Sequence, residues 1–160
     1  MSIELISEGA WREIERIQER AYTEISAEDV EILRGKWLIS PSTCFVYTTD
    51  CGSIIAYLLS HPWSGEKLPQ LNDSAPINRD SAILLLHDMA VSPDFQGNGI
   101  AQAMVKNLIF KARSMNFVKI KLIAVQNSVG FWACFGFKEV VSDFISSDYG
   151  KSAKSMALIL

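Results

Sequence analysis

The segment that most limits how this chain can fold runs from Ile83-Leu84-Leu85-Leu86 into His87-Asp88-Met89-Ala90-Val91. It is apolar without alternation. A strand with one wet face alternates, so a run like this one belongs to the middle of a sheet, covered on both faces. Ser92-Pro93-Asp94 ends it, and Gly97 and Gly99 follow. From Gly99 to about Met115, the residues Ala101, Met104, Val105, Leu108, Ala112 and Met115 trace one helical stripe. A buried strand, a short loop with two glycines and a helix therefore stand in series.

That series has a chemical consequence. Gly97 and Gly99 carry no Cβ, so backbone N–H groups there can approach a ligand closely. At a helix N-terminus those groups lack intrahelical partners and lie at the positive end of the dipole. The result is a seat for a phosphate or pyrophosphate. A glycine turn into a core helix is the plainer reading. Two nucleotide-binding patterns are excluded: no Gly-Lys-Ser/Thr follows, as a P-loop requires, and Gln102 stands where a dinucleotide fingerprint places its third glycine.

The rest of the chain is mixed. Ile3–Ile6 reads as a short strand. Trp11, Ile14, Ile17 and Ala21 recur at helical spacing, and Ser26 begins a second helix carrying Val30, Leu33 and Trp37. Thr43–Thr49 and Ser53–Ser60 form a hairpin about Asp50-Cys51-Gly52, and His61–Asp80 is a long loop with three prolines. Ile120–Val125 is a strand, Ser128–Phe135 a short helix with Gly136 as its C-cap, and Lys138–Ile145 and Ser155–Leu160 closing strands around a Ser146–Gly150 turn. With 160 residues, no linker and no repeat, one domain over 1–160 is expected, α+β or α/β with an open sheet.

Charge and cysteines narrow the function. The net charge is −3 and no basic run appears, so nucleic acid is not an expected partner. The N-terminus has acids where a signal peptide has Lys or Arg, and no apolar run reaches membrane-spanning length. Cys44, Cys51 and Cys134 make neither a disulfide framework nor a metal clip, which suits the cytoplasm. With His61 and His87 as the only histidines, no metal site is expected.

Val91-Ser92-Pro93-Asp94-Phe95-Gln96-Gly97-Asn98-Gly99-Ile100-Ala101 resembles motif A of the GNAT N-acetyltransferase superfamily. The block Val125-Gln126-Asn127 … Phe131-Trp132-Ala133-Cys134-Phe135-Gly136-Phe137 resembles its motif B, in the same order and spacing. The resemblance covers roughly Ile83–Phe137. It implies an open, mostly antiparallel twisted sheet of about six to seven strands with about four helices. It also implies acetyl-CoA as co-substrate and the primary amine of a small molecule or peptide as acceptor, attacked directly without a covalent enzyme intermediate. Met89, Ala90 and Val91 would run beside the pantetheine arm like an added strand. The backbone of Gln96, Gly97, Asn98, Gly99, Ile100, Ala101 and Gln102 would cradle the pyrophosphate. Asn127 would bond the arm or cap a helix, and Phe131 and Trp132 would pack beside it.

Acid and base are less regular. Many GNAT enzymes use a motif B Tyr as general acid, but here the position is Trp132, whose indole N–H is too weak an acid. Tyr149, in the turn between the last strands, is a replacement candidate or a solvated turn residue. His87 is the candidate base: Leu86–Val91 resembles the equivalent strand of the serotonin (arylalkylamine) N-acetyltransferases, although Leu85 stands where those enzymes carry a second His. By strand alternation, Asp88 is expected on the face opposite His87. Glu24, Glu28, Asp29 and Glu31 form either an acidic mouth or a solvated helix face, and Trp63 and Asp73 line the acceptor pocket or plug the loop. A chain that binds acetyl-CoA without turnover is the competing reading. An open sheet edge near the C-terminus leaves pairing into a homodimer available.

Overall fold

The computed structural model describes residues 1–63, 67–73 and 78–160; part of the predicted 61–80 loop lies outside them. In chain order the elements are β1 (Ser2–Leu5), α1 (Trp11–Ala21), α2 (Val30–Ile39), β2 (Phe45–Thr48), β3 (Ile54–Pro62), β4 (Ile83–Val91), α3 (Ile100–Ser114), β5 (Lys119–Ala124), α4 (Val129–Ala133), β6 (Lys138–Glu139) and β7 (Lys154–Ile159). The strands form one seven-stranded sheet in the order β1-β2-β3-β4-β5-β7-β6. Every described pairing is antiparallel except β4 with β5. This is the open, mostly antiparallel α+β sheet expected. Among the described residues no helix is long and apolar enough to cross a membrane.

The unalternating run becomes β4, at the sheet centre, and helices cover both its faces. One core joins α3 and α4 to the sheet through Leu84, Leu86, Met104, Leu108, Ile120, Leu122 and Trp132. The other joins α1 and α2 through Trp11, Ile14, Leu33, Trp37, Tyr57, Leu59 and Ala90. Each buried leucine contributes about 1.5–3 kcal/mol by leaving water.

Two features of β4 build the site. Its pairing with β5 runs from Ile83 opposite Lys119 to Leu86 opposite Leu122 and then stops. The strands diverge, so among the described residues the β5-facing edge of β4 from His87 to Val91 has no partner strand. Ser92 N–H donates to the Ile55 carbonyl of β3 at 2.8 Å, so by alternation Met89 and Val91 turn their backbone groups to the open side. The second feature is a β-bulge. Leu59 pairs with Asp88 but Ser60 pairs with Leu86, which leaves His87 as an extra residue.

The bulge corrects one expectation. Alternation puts His87 and Asp88 on opposite faces, but the extra residue resets it, and both side chains reach the α1–α2 side. Boundaries differ elsewhere. The second helix starts at Val30, capped by Asp29, whose side chain accepts from Glu31 N–H, and not at Ser26. α4 starts at Val129 after Ser128; Asn127 is not its cap and takes a left-handed φ of 60°. Lys138–Ile145 is not a full strand: the ladder with β7 holds Lys138 and Glu139, and Val140 N–H makes one further bond to the Ser155 carbonyl at 2.9 Å before the chain leaves. Asp143 is held back by Ser155 Oγ at 2.6 Å and Lys121 Nζ at 2.8 Å, and Val141 and Phe144 are exposed, with no face to cover them.

Candidate active site

The parting of β4 from β5 opens a cavity of about 370 Å³, of the size that takes a small ligand. His87, Met89, Ala90, Val91, Gln96, Ala101, Phe131 and Trp132 line it, all expected at the site from sequence. Gln126 and Ser128 also line it, while Asn127 between them does not. The expected Gly97, Asn98, Gly99, Ile100 and Gln102 lie beyond its wall, at the start of α3. Gly97 and Gly99 have φ of 79° and 77°, the left-handed region, and a Cβ on either would meet nothing within 4 Å. The first intrahelical bond runs from Ala103 N–H to the Gly99 carbonyl at 3.0 Å. The N–H groups of Ile100, Ala101 and Gln102 therefore have no intrahelical acceptor. Asp94, the nearby acid, is paired with Arg20 at 3.0 Å, which holds its carboxyl below the usual range and offsets its charge beside the seat. An open strand edge leading to a free helix N-terminus is the shape a pantetheine arm and pyrophosphate need, so these residues fit a coenzyme A thioester.

The edge carbonyls are already in use. Gln96 Nε2 donates to the Val91 carbonyl at 3.1 Å, and Tyr22 Oη lies 3.0 Å from the Met89 carbonyl. Tyr22 follows α1 and also donates to Asp88. On the other Asp88 oxygen, the buried Tyr57 donates at 2.7 Å. Burial and the Asp88 charge push both phenols well above their usual range; burial pushes the Asp88 carboxyl up, against the two phenol hydrogen bonds. Gln126 braces the same corner: its Oε1 accepts from Thr23 N–H at 2.9 Å and Glu24 N–H at 3.1 Å.

Behind the cavity lies a buried ionic cluster. His87 Nε2 is 2.5 Å from Glu28 Oε1 and 2.9 Å from Lys36 Nζ, and Lys36 Nζ is 3.5 Å from Glu28 Oε2. Of the four acids expected as a mouth or a solvated face, Glu28 does neither: it is buried, while Glu24, Asp29 and Glu31 are exposed. Burial alone would raise the Glu28 carboxyl, but His87, Lys36 and the Asn72 N–H together hold it down at about 2. Burial pushes the Lys36 ammonium below its usual range, and Glu28 opposes that. The second imidazole near His87 comes from β3: His61, with ring centroids 5.8 Å apart. Burial, then the neighbouring His87, push His61 down to about 3.

The other expected residues are structural in their contacts. Trp132 donates its indole N–H to Ser128 Oγ at 3.1 Å. Tyr149 is buried rather than solvated, donates to the Pro69 carbonyl at 2.9 Å, and does not line the main cavity. Trp63 plugs against Leu68 and Leu85 and donates to the Lys67 carbonyl at 3.2 Å. Sequence reasoning missed Tyr22, Tyr57, Lys36 and Gln126. Lys36 had a signal: it falls in the apolar stripe of α2 between Leu33 and Trp37, where a solvated lysine does not belong.

With this geometry in place, the comparisons are decisive at family level. The model of the acetyltransferase (GNAT) family matches residues 11–137. The chain belongs to the GNAT acetyltransferase family. Solved structures with the same fold include Ard1 from Thermoplasma volcanium, at 16% identity and TM-score 0.77 over 99% of this chain and 97% of that one. The ribosomal-protein-S18-alanine N-acetyltransferase from Escherichia coli aligns at 16% identity and TM-score 0.71, over 99% and 92%. Rv2747 from Mycobacterium tuberculosis, solved in complex with CoA, aligns at 14% identity and TM-score 0.75, over 100% and 99%. No curated protein sequence matches the chain significantly.

Proposed function

We propose that this GNAT chain moves an acetyl group from acetyl-CoA to the primary amine of a small molecule or peptide by direct attack, with His87 as general base. The observation that carries this reading is that the arm's seat and the base share one strand: the open edge at Met89 and Val91 ends at the bulge that carries His87. The free N–H groups at the start of α3 would hold the pyrophosphate, and the β4 edge would align the arm. A 2.5 Å contact between Nε2 and Glu28 requires a proton between them. Nε2 is therefore assigned the proton, and Nδ1 keeps the lone pair that accepts the amine's proton. Glu28, ionised at neutral pH, orients the ring and stabilises the imidazolium once formed. Lys36 offsets the charge of Glu28. The fold's CoA-bound relative supports the donor, and three free cysteines support a cytoplasmic setting.

His87→Ala tests the assignment. The expected result is a fall in kcat/KM of about 10²-fold or more and loss of the acidic limb of the pH profile. An unchanged profile removes His87 from the mechanism. A second reading, acetyl-CoA binding without turnover, is favoured by Trp132, whose N–H is committed to Ser128. Amine-dependent CoA release decides between the two.

A further inference from the structure

We propose that Tyr22 is the general acid of this site, protonating the departing CoA thiolate, with Asp88 behind it as the group that restores the phenol. The proposal rests on the acetyl-transfer reading above. The need arises in motif B, where the indole of Trp132 replaces the phenol and donates to Ser128. Tyr149 does not line the cavity bordered by Met89 and Val91. Tyr22 lines that cavity, and its Oη sits 3.0 Å from the Met89 carbonyl, on the open edge along which the arm runs. Two phenols donate to Asp88, but Tyr57 is fully buried and does not line the cavity. Of the pair, only Tyr22 faces substrate.

The groups around Tyr22 close the proton circuit. Asp88 and His87 reach it from β4, Tyr57 from β3, and Glu28 from the segment before α2. A side chamber of about 30 Å³ is lined by Tyr22, Glu28, His87, Asp88 and Tyr149. It has room for a bridging water among polar partners. As the amine nitrogen bonds to the acetyl carbon and the C–S bond breaks, the electron pair goes to sulfur. His87 takes a proton from the amine, and Tyr22, turning its hydroxyl away from Asp88, gives its proton to sulfur. Asp88 then returns the proton held by His87, through the chamber, to the phenolate. Ring, carboxyl and phenol end as they began; one proton has passed from amine to thiol.

Four proteins test this: wild type, Tyr22→Phe, Tyr57→Phe and a protein with 3-fluorotyrosine in place of Tyr22. Each is assayed for amine-dependent CoA release and titrated calorimetrically with acetyl-CoA. Tyr22→Phe is expected to lower kcat about 10²- to 10⁴-fold with acetyl-CoA affinity close to wild type. Tyr57→Phe, which removes a hydrogen bond from the same carboxyl, is expected to lower kcat far less. Near-isosteric 3-fluorotyrosine at position 22 is expected to move the alkaline limb of the pH profile to lower pH, as its more acidic phenol requires. Equal losses in the two Phe variants, a Tyr22→Phe rate within about threefold of wild type, or an unmoved alkaline limb would overturn the proposal while leaving acetyl transfer intact. A wild type that turns over no amine would overturn both.

Discussion

Replacing Glu28 with Gln tests the buried cluster quantitatively. The substitution keeps the shape of the side chain and removes its charge, leaving Lys36, whose side chain is 6% exposed, without its ion-pair partner and with only the more weakly acting Asp73 and Asp88. Stranding a buried charge costs about 3–5 kcal/mol. Lys36 can limit the loss by shedding its proton in the folded state. With an unfolded pKa of about 10.4, that costs about 1.4 kcal/mol for each pH unit below it, so about 5 kcal/mol at pH 7 and about 2 at pH 9. The sign follows: between those limits the unfolded chain binds the proton and the folded variant does not, so the stability of the variant rises with pH. Urea unfolding at pH 7 should show a deficit of about 3–5 kcal/mol, with Tm about 6–20 °C lower, shrinking to about 2 kcal/mol at pH 9. Adding Lys36→Met should recover most of the pH 7 loss by removing the stranded charge. A deficit under about 1 kcal/mol at both pH values would refute the reasoning, because an exposed pair is worth only that much.

Two other perturbations follow from the geometry. Gly99→Val forces a β-branched residue to φ 77° and fills the approach to the α3 N-terminus; calorimetry should find acetyl-CoA binding lost while the fold, judged by circular dichroism, survives, and binding like wild type would misplace the pyrophosphate seat. His61, pushed down to about 3, refuses a proton that the unfolded chain takes near 6.5, so stability falls as pH drops through that window by about 1.4 kcal/mol per unit. Glu28 adds a similar fall between about 4.5 and 2. His61→Phe should flatten the pH 6.5–5 slope of urea-unfolding stability by about one proton, and an unaltered slope would show that His61 titrates freely.

The sequence carried what local rules encode. The unalternating β4, the two glycines before α3 and the stripe of α3 are each set by near neighbours along the chain, and all three stand, except that Met115 at the end of the stripe is the exposed C-cap. What it hid depends on distant elements. The bulge at His87 is a mismatch between β3 and β4, and neither strand announces it alone. Glu28 reads as one of several acids near a helix start until α2 brings Lys36, and β4 brings His87, against it. Tyr22 follows α1, 66 positions before Asp88, so no motif spans the pair. Lys138–Ile145 read as a closing strand, but local propensity cannot supply the partner that β7 stops providing after Val140.

The most direct test of the account is CoA release from acetyl-CoA by the wild-type protein across a panel of small-molecule and peptide amines, with acetyl-CoA titrated calorimetrically in parallel. The account predicts binding together with turnover of at least one amine. Binding without turnover on a broad panel would contradict catalysis and leave an acetyl-CoA-binding module, and absence of binding would contradict the site itself.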